Sequence, residues 1–337
     1  MVSNRLLLYN LLMNQLFKYN PANRNVLIDI LKGVAIILVV LGHAIQFNTI
    51  SSSNNLVFKF IYLFHMPLFM FLSGYLVFGT KVFDWKFISK KFKSLVIPFL
   101  SWRVVTIVLS VLVLNLNFLN LIIRTITDPS DGGLWFLLIL FFNFLLLSIA
   151  AKLAPRLNNL TLLSIILFAQ LLPAGILGFA LVRWHIVFFI GGYLAAKYLG
   201  LIKKNKYLTV FISLALYIIL ISLWYLQIPS LYNPGTLIFT LLKRINDYLL
   251  AFSSIILLFF SFNYLKNKKS LTAICWLGLY TMDIYVISNF LFYLITLFKL
   301  QINYIIAFIF VLLFSIAISL LIRNFKLPKR LLLGQYK

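Results

Sequence analysis

Apolar residues fall into runs of about twenty along nearly the whole chain, and short polar segments separate them. Twenty helical residues rise about 30 Å, which matches the hydrocarbon thickness of a bilayer. Ten such runs can be drawn, at residues 26–47, 56–78, 95–115, 133–151, 160–180, 183–200, 207–227, 247–265, 273–297 and 302–322. A membrane β-barrel would instead alternate apolar and polar residues in segments of about ten, a pattern this chain lacks. The expected fold is all-α: a polytopic integral membrane protein with about ten transmembrane helices. Residues 1–25 read as an N-terminal segment, either an amphipathic helix lying on the membrane surface or a plain tail. Residues 26–322 form one membrane domain, residues 323–337 a short basic tail, and no further soluble domain is expected.

Composition agrees. The 337 residues are 63% hydrophobic and 11% charged, with a mean hydropathy of +1.04. Soluble domains carry about 25% charged residues. The stretch Leu6–Phe17 does not read as a secretory signal, because Tyr9, Asn10, Asn14 and Gln15 interrupt it and no small-residue cleavage site follows. The single cysteine, Cys275, leaves no intrachain disulfide and no thiolate metal cluster.

The net charge is +24, and all six acidic residues are aspartates. A basic excess of this size can signal nucleic acid, but here the bases sit in short loops between apolar runs. If both termini are cytoplasmic, 22 lysines and arginines fall in the inner segments and 5 in the outer ones. That bias is the positive-inside pattern, so nucleic acid is not an expected partner. The outer loop around residues 228–246 contains Pro229, Pro234 and Gly235 and is long enough to cover an outer cavity. Trp85, Trp184, Tyr207 and Tyr304 lie near span ends, as interfacial belts do.

Ionisable residues inside spans are costly and mark functional sites. The first span holds Asp29, Lys32 and His43. At about 100° per residue, Lys32 and His43 return to within about 20° of one line, with Asp29 and Gln46 within about 60° of it. They form one polar stripe, in which Lys32 and His43 are roughly 16 Å apart along the axis. Lipid would not tolerate that stripe, so it is expected to face the protein interior. Asp29 also suits a helix N-terminus electrostatically, and Lys32 is near enough to a span end to snorkel.

The second span reads FHMPLFMFLSGY at residues 64–75. Pro67 removes a helical hydrogen bond and should kink the helix beside His65. The kink either opens room for a ligand near His43 or is a packing feature with His65 bonded to a freed carbonyl. Ser73 and Gly74 permit close helix packing. Arg103, in the third span, is expected in the inner half, where it would join Lys32 and the Lys81–Lys93 cluster in a positive vestibule for an anion. Trp135 opens the fourth span, as a belt residue or an acceptor contact. Arg183 and His185 begin the sixth, near the outer surface, where solvated roles come cheaply.

Three groups of residues resemble the membrane-bound acyltransferase family 3, nearest its fucose 4-O-acetylase-like branch. They are Asp29-Ile30-Leu31-Lys32-Gly33 with His43, the run at 64–75, and Leu134-Trp135-Phe136. Phe188-Phe189-Ile190-Gly191-Gly192-Tyr193 is similar to that family's FF-x-G-x-Y-L element, and Leu277-Gly278 with Thr281-Met282-Asp283-Ile284-Tyr285 to its late G…T…IY element. The family's marker is a basic residue, ten intervening positions and a histidine. Lys32 and His43 fit it, with lysine where arginine is commoner, and lysine lacks the bidentate fork. Ser288 stands where many relatives place a histidine.

The resemblance implies transfer of an acyl group, usually acetyl, from cytosolic acyl-CoA to a hydroxyl of a cell-envelope glycan, polymeric or lipid-linked, at the bacterial cytoplasmic membrane. Acetyl-CoA is then a substrate, and no bound cofactor or metal is expected. Expected partners are acyl-CoA, the sugar acceptor and membrane lipid. In that scheme His43 is the general base. Asp29 balances Lys32, and His65 orients His43 or stabilises the oxyanion. Lys32 and Arg103 hold the anionic head of the donor, and Trp135, Ser73 and Gln46 contact the acceptor. An acyl-histidine intermediate is equally open. The competing class is a transporter or flippase of lipid-linked sugars, although such proteins commonly show two related halves and no repeat is visible here.

Overall fold

The structure, a computed structural model, describes residues 24–49, 51–80, 83–129, 133–154, 157–225 and 237–336. The expected N-terminal surface helix and the loop residues Pro229, Pro234 and Gly235 lie outside the described residues. Among the described residues the regular structure is helical throughout.

Helix α1 is Val26–Asn48, capped by the Asn25 side chain, which accepts from the Ile28 amide. Helix α2 is Leu56–Val77, capped in the same way by Asn55, and it runs through Pro67. Helix α3, Trp85–Lys91, passes through a π-turn at Phe92–Val96 into α4, Ile97–Leu114. Asn115, at φ 52°, then turns the chain, and α5, Phe118–Thr127, folds back beside α4. Next come α6, Trp135–Leu153; α7, Asn159–Gln170; α8, Phe179–Lys197; α9, Leu199–Lys204; α10, Lys206–Tyr225; and α11, Leu237–Leu265. The chain ends with α12, Thr272–Leu279; α13, Thr281–Leu297; α14, Tyr304–Arg323; and α15, Lys326–Leu333.

Each of the ten predicted runs contains a helix. Seven are long and apolar enough to cross a membrane, or eight if the bent pair α12–α13 counts as one span. The protein is thus a multi-pass membrane protein. Three runs differ from expectation, and in one of them, 207–227, the apolar helix Lys206–Ser222 falls short of a crossing. The run 160–180 stops being helical after Gln170, and Leu177 and Gly178 adopt positive φ before α8 begins. The run 273–297 breaks between α12 and α13 with a bend of 76°.

Glycines set the tightest crossings. A Cβ on Gly33 of α1 would run into the Ile274 carbonyl oxygen of α12, and one on Gly278 into the Asp29 carbonyl oxygen. At the α2–α8 crossing the same holds for Gly74 against Phe189 and for Gly192 against Phe71. Small residues let backbones meet where side chains would hold them apart. Phe188, Phe189 and Phe292 fill the core around these crossings and are fully buried.

The basic tail folds back on the bundle. The Trp102 indole N–H donates to the Leu332 carbonyl at 3.0 Å. The buried Asp283 carboxylate, in the first turn of α13, accepts from Ser319 and Arg323 at 2.7 Å and from Gln335 at 3.0 Å. These contacts fix α14 and the chain end against the α12–α13 break.

Candidate functional site

A cavity of about 790 Å³ lies between α1, α2, α4, α5, the start of α6, α8 and α13. Helical periodicity builds its walls. From α4, Arg103, Thr106, Ile107 and Ser110 face it, and from α13, Tyr285, Asn289, Tyr293 and Thr296. The chain has three histidines, and all three line this cavity: His43 from α1, His65 from α2 and His185 from α8.

The histidines differ in how they are held. The His65 Nδ1–H donates to the Ile61 carbonyl at 2.7 Å, and the His185 Nδ1–H to the Leu181 carbonyl at 2.8 Å. A carbonyl can only accept, so each neutral ring keeps its lone pair on Nε2. His43 has no such tether. Its Nδ1 is buried and without a hydrogen-bond partner among the described residues. Phe47 and Phe292 meet the ring edge-on, at centroid distances of 5.9 and 6.2 Å. A buried polar group left unpaired costs about 1–3 kcal/mol.

Aromatic side chains frame the rest. Trp135 lies 5.0 Å from the His185 ring, and Tyr62 lies 4.7 Å from the His65 ring. The Tyr62 hydroxyl donates to Gln46 Oε1 at 2.6 Å. The Tyr285 hydroxyl donates to the Gly133 carbonyl at 2.6 Å, two residues before Trp135. Gly133 has φ 72°, and a Cβ there would strike the Asn289 amide. Arg103 is buried, and its Nη2 donates to Thr125 Oγ1 at 2.7 Å, tying α4 to α5.

The structure therefore brings together His43, His65, Gln46, Arg103 and Trp135. Asp29, Lys32 and Ser73 do not line the cavity. Ser73 Oγ donates to the Phe69 carbonyl of its own helix, at 2.8 Å. Asp29 pairs with Arg24, which reaches both carboxylate oxygens at 2.8 and 3.2 Å. Asp29 was expected to balance Lys32, and Arg24 takes that place at bonding distance, with Lys32 in the field of both. Lys32 and Arg103 do not share one vestibule: Arg103 faces the histidines, and Lys32 keeps company with Asp29, Arg24 and Lys91. Between Lys32 and His43 the stripe is filled by Ile36 and Val39, both buried in the core. Among the described residues, two buried apolar positions of the stripe thus stand between Lys32 and the His43 cavity, which Lys32 does not line.

His185 was read as a surface residue, and Trp184 as a belt residue. Both line the cavity instead, with Trp184 stacked on Tyr248 at 4.2 Å. The signal that could have flagged His185 is that only three histidines occur in 337 residues and each falls within an apolar run. Asn289 carried no comparable mark, and although Tyr285 belongs to the late G…T…IY element, its role depends on a loop more than 150 residues earlier. Among the described residues no three His, Cys, Asp or Glu are grouped so as to hold a metal ion.

A family model described as an acyltransferase domain matches residues 25–324, a stretch that includes every residue of the cavity. The chain belongs to the acyltransferase 3 family. Curated relatives include Nodulation protein NolL of Sinorhizobium fredii (strain NBRC 101917 / NGR234), 32% identical over 183 residues, which cover 52% of this chain and 50% of the relative. Another is Nodulation protein NolL of Mesorhizobium japonicum (strain LMG 29417 / CECT 9101 / MAFF 303099), 30% identical over 135 residues, or 38% of this chain and 36% of the relative. The chain thus spans half or less of the length of these relatives. No solved structure matches.

Proposed function

We propose that the protein transfers an acyl group, foremost acetyl, from acyl-CoA to a hydroxyl of a cell-envelope glycan or its precursor, at the bacterial cytoplasmic membrane. The observation that carries this reading is His43, an imidazole that lines a cavity roomy enough for a sugar and is not tethered to a backbone carbonyl as His65 and His185 are. An acceptor hydroxyl hydrogen-bonded to the His43 imidazole would place the proton to be removed on the base that removes it.

In the proposed reaction the His43 imidazole takes the hydroxyl proton as the oxygen attacks the thioester carbonyl. The tetrahedral intermediate collapses by breaking the carbon–sulfur bond, and the imidazolium returns its proton to the leaving thiolate. An oxygen ester and free CoA thiol result. Arg103 and the histidines His65 and His185 supply charge and hydrogen bonds around the reacting atoms. Trp135 and Gln46 seat the sugar. Lys32, with Lys91 near it, holds the anionic head of the donor, and Ile36 and Val39 part to let the thioester reach His43. The distribution of bases supports ten crossings with both termini in the cytoplasm.

A deletion strain provides the test. Loss of O-acyl groups from its envelope glycan, restored by the wild-type protein but not by His43→Ala at equal abundance, is the expected result. Full restoration by His43→Ala would defeat the mechanism. Normal O-acylation but failed glycan export in the deletion strain would favour a transporter.

A further inference from the structure

His65 and His185 stand on neighbouring walls of the cavity, formed by α2 and α8, which cross at the Gly74 and Gly192 contacts. In each, Nδ1–H is spent on the carbonyl four residues earlier in its own helix, at 2.7 and 2.8 Å. That bond fixes the tautomer, so the atom left over is an Nε2 that can only accept. Both side chains are buried, at 3% and 4% exposure, yet neither Nε2 is sealed in, and the space both rings border is the cavity. The hydroxyls of the three cavity tyrosines do not serve these nitrogens. Tyr62 donates to Gln46, Tyr285 to the Gly133 carbonyl and Tyr293 to the Thr106 carbonyl. Among the described residues the histidines are not gathered around one point as metal ligands are. They are spread over α1, α2 and α8, and two of them offer fixed lone pairs along a wall.

We propose that His65 and His185 select the acceptor: each Nε2 accepts a hydrogen bond from a sugar hydroxyl that is not acylated, while His43 takes the proton of the one that is. This rests on the acyl-transfer reading of the cavity and adds two specificity residues to it. The substrate class that fits is a sugar unit with free hydroxyls beside the reacting one. A carboxylate, an O-methyl group or an ester at those places has no proton to give, and would leave a nitrogen unpaired in an enclosed site. Sites built to bond a hydroxyl reject analogues that lack it far more strongly than apolar pockets reject a misfit. An ester already in place counts as such a misfit, so the wall that admits the acceptor turns away a sugar acylated at a neighbouring hydroxyl. The product is then a sugar unit with one acyl group at one position. A lone pair suits a hydroxyl and not an oxyanion, which leaves the developing negative charge to Arg103.

The test is the position of the O-acyl group, read by NMR spectroscopy in envelope glycan from a deletion strain that carries the wild-type or a variant protein. Wild type should acylate a single hydroxyl of its sugar unit. His185→Phe removes the lone pair; at equal abundance it should lower O-acyl content about tenfold or more, with the remainder spread over more than one hydroxyl. A single unchanged position in His185→Phe, whatever the amount, would overturn the proposal. A second pair of variants keeps the polarity of the site. His185→Gln places an oxygen near where Nε2 stood and should keep the single position, whereas the oxygen of His185→Asn stops near the place of Nδ1 and should lose it. The same outcome for Gln and Asn would also overturn the proposal. Equal O-acyl content with and without the wild-type protein would overturn the acyl-transfer reading itself.

Discussion

At the Val26 end of α1 the Asp29 carboxylate is gripped at both oxygens by Arg24, and the Asp29 backbone carbonyl lies against Gly278 of α12. At the Asn48 end of the same helix, His43 lines a cavity of about 790 Å³, and its buried Nδ1 has no partner among the described residues. Both ends carry polar side chains on one stripe, yet one is closed and the other open. A buried charge that already has its partner contributes to holding helices together and has little to offer a substrate. A buried nitrogen without a partner costs about 1–3 kcal/mol, and the ring that carries it lines the cavity rather than pairing with a scaffold charge. The contrast separates the Arg24–Asp29 pair, which holds helices together, from the proposed catalytic histidine, with Lys32 beside the pair left for the donor.

The largest effect that would sharpen this contrast belongs to the open end. His43→Ala should lower acyl transfer by about 10²–10⁴-fold, the usual share of a general base, with thermal unfolding in detergent shifted little. Loss of the folded protein instead would make His43 part of the scaffold. At the closed end the expectation is inverted. Arg24→Met leaves the Asp29 carboxylate without its bidentate partner, and should destabilise by about 2–3 kcal/mol, toward the low end for a broken buried pair because Arg24 is half-exposed. Thermal inactivation measures this, and activity per folded molecule should hold.

Smaller in size is Gly33→Ala, whose Cβ would run into the Ile274 carbonyl. Forcing α1 and α12 apart should cost about 1–3 kcal/mol in the same assay. An unchanged melting temperature would show that this crossing yields more easily than its geometry implies. Smallest is Ser73→Ala, since that hydroxyl bonds only the Phe69 carbonyl among the described residues. A change within about 0.5 kcal/mol in stability and no change in rate is expected. A tenfold loss in rate would bring Ser73 back into the site.

Much of this was legible in the sequence because a bilayer imposes strict rules. Apolar runs of fixed length gave a helix in every place they predicted one, and the positions of His43, His65 and Arg103 marked three walls of the cavity. Residues whose meaning depends on distant partners were not legible. Trp184 resembles any belt tryptophan until Tyr248 stacks on it, and Tyr285 resembles any core tyrosine until its hydroxyl reaches Gly133. The stripe on α1 misled in one respect. Angular alignment places Lys32 and His43 on one face, but it cannot show that Ile36 and Val39 fill the space between them.

The most direct test of acyl transfer at the histidine cavity compares the two ends of α1 in one assay. Purified protein in vesicles would receive radiolabelled acetyl-CoA and a lipid extract from the deletion strain. Wild type and Asp29→Asn should label the acceptor at similar rates per folded molecule, and His43→Gln should label it no faster than empty vesicles. Transfer by His43→Gln at the wild-type rate would place the chemistry elsewhere.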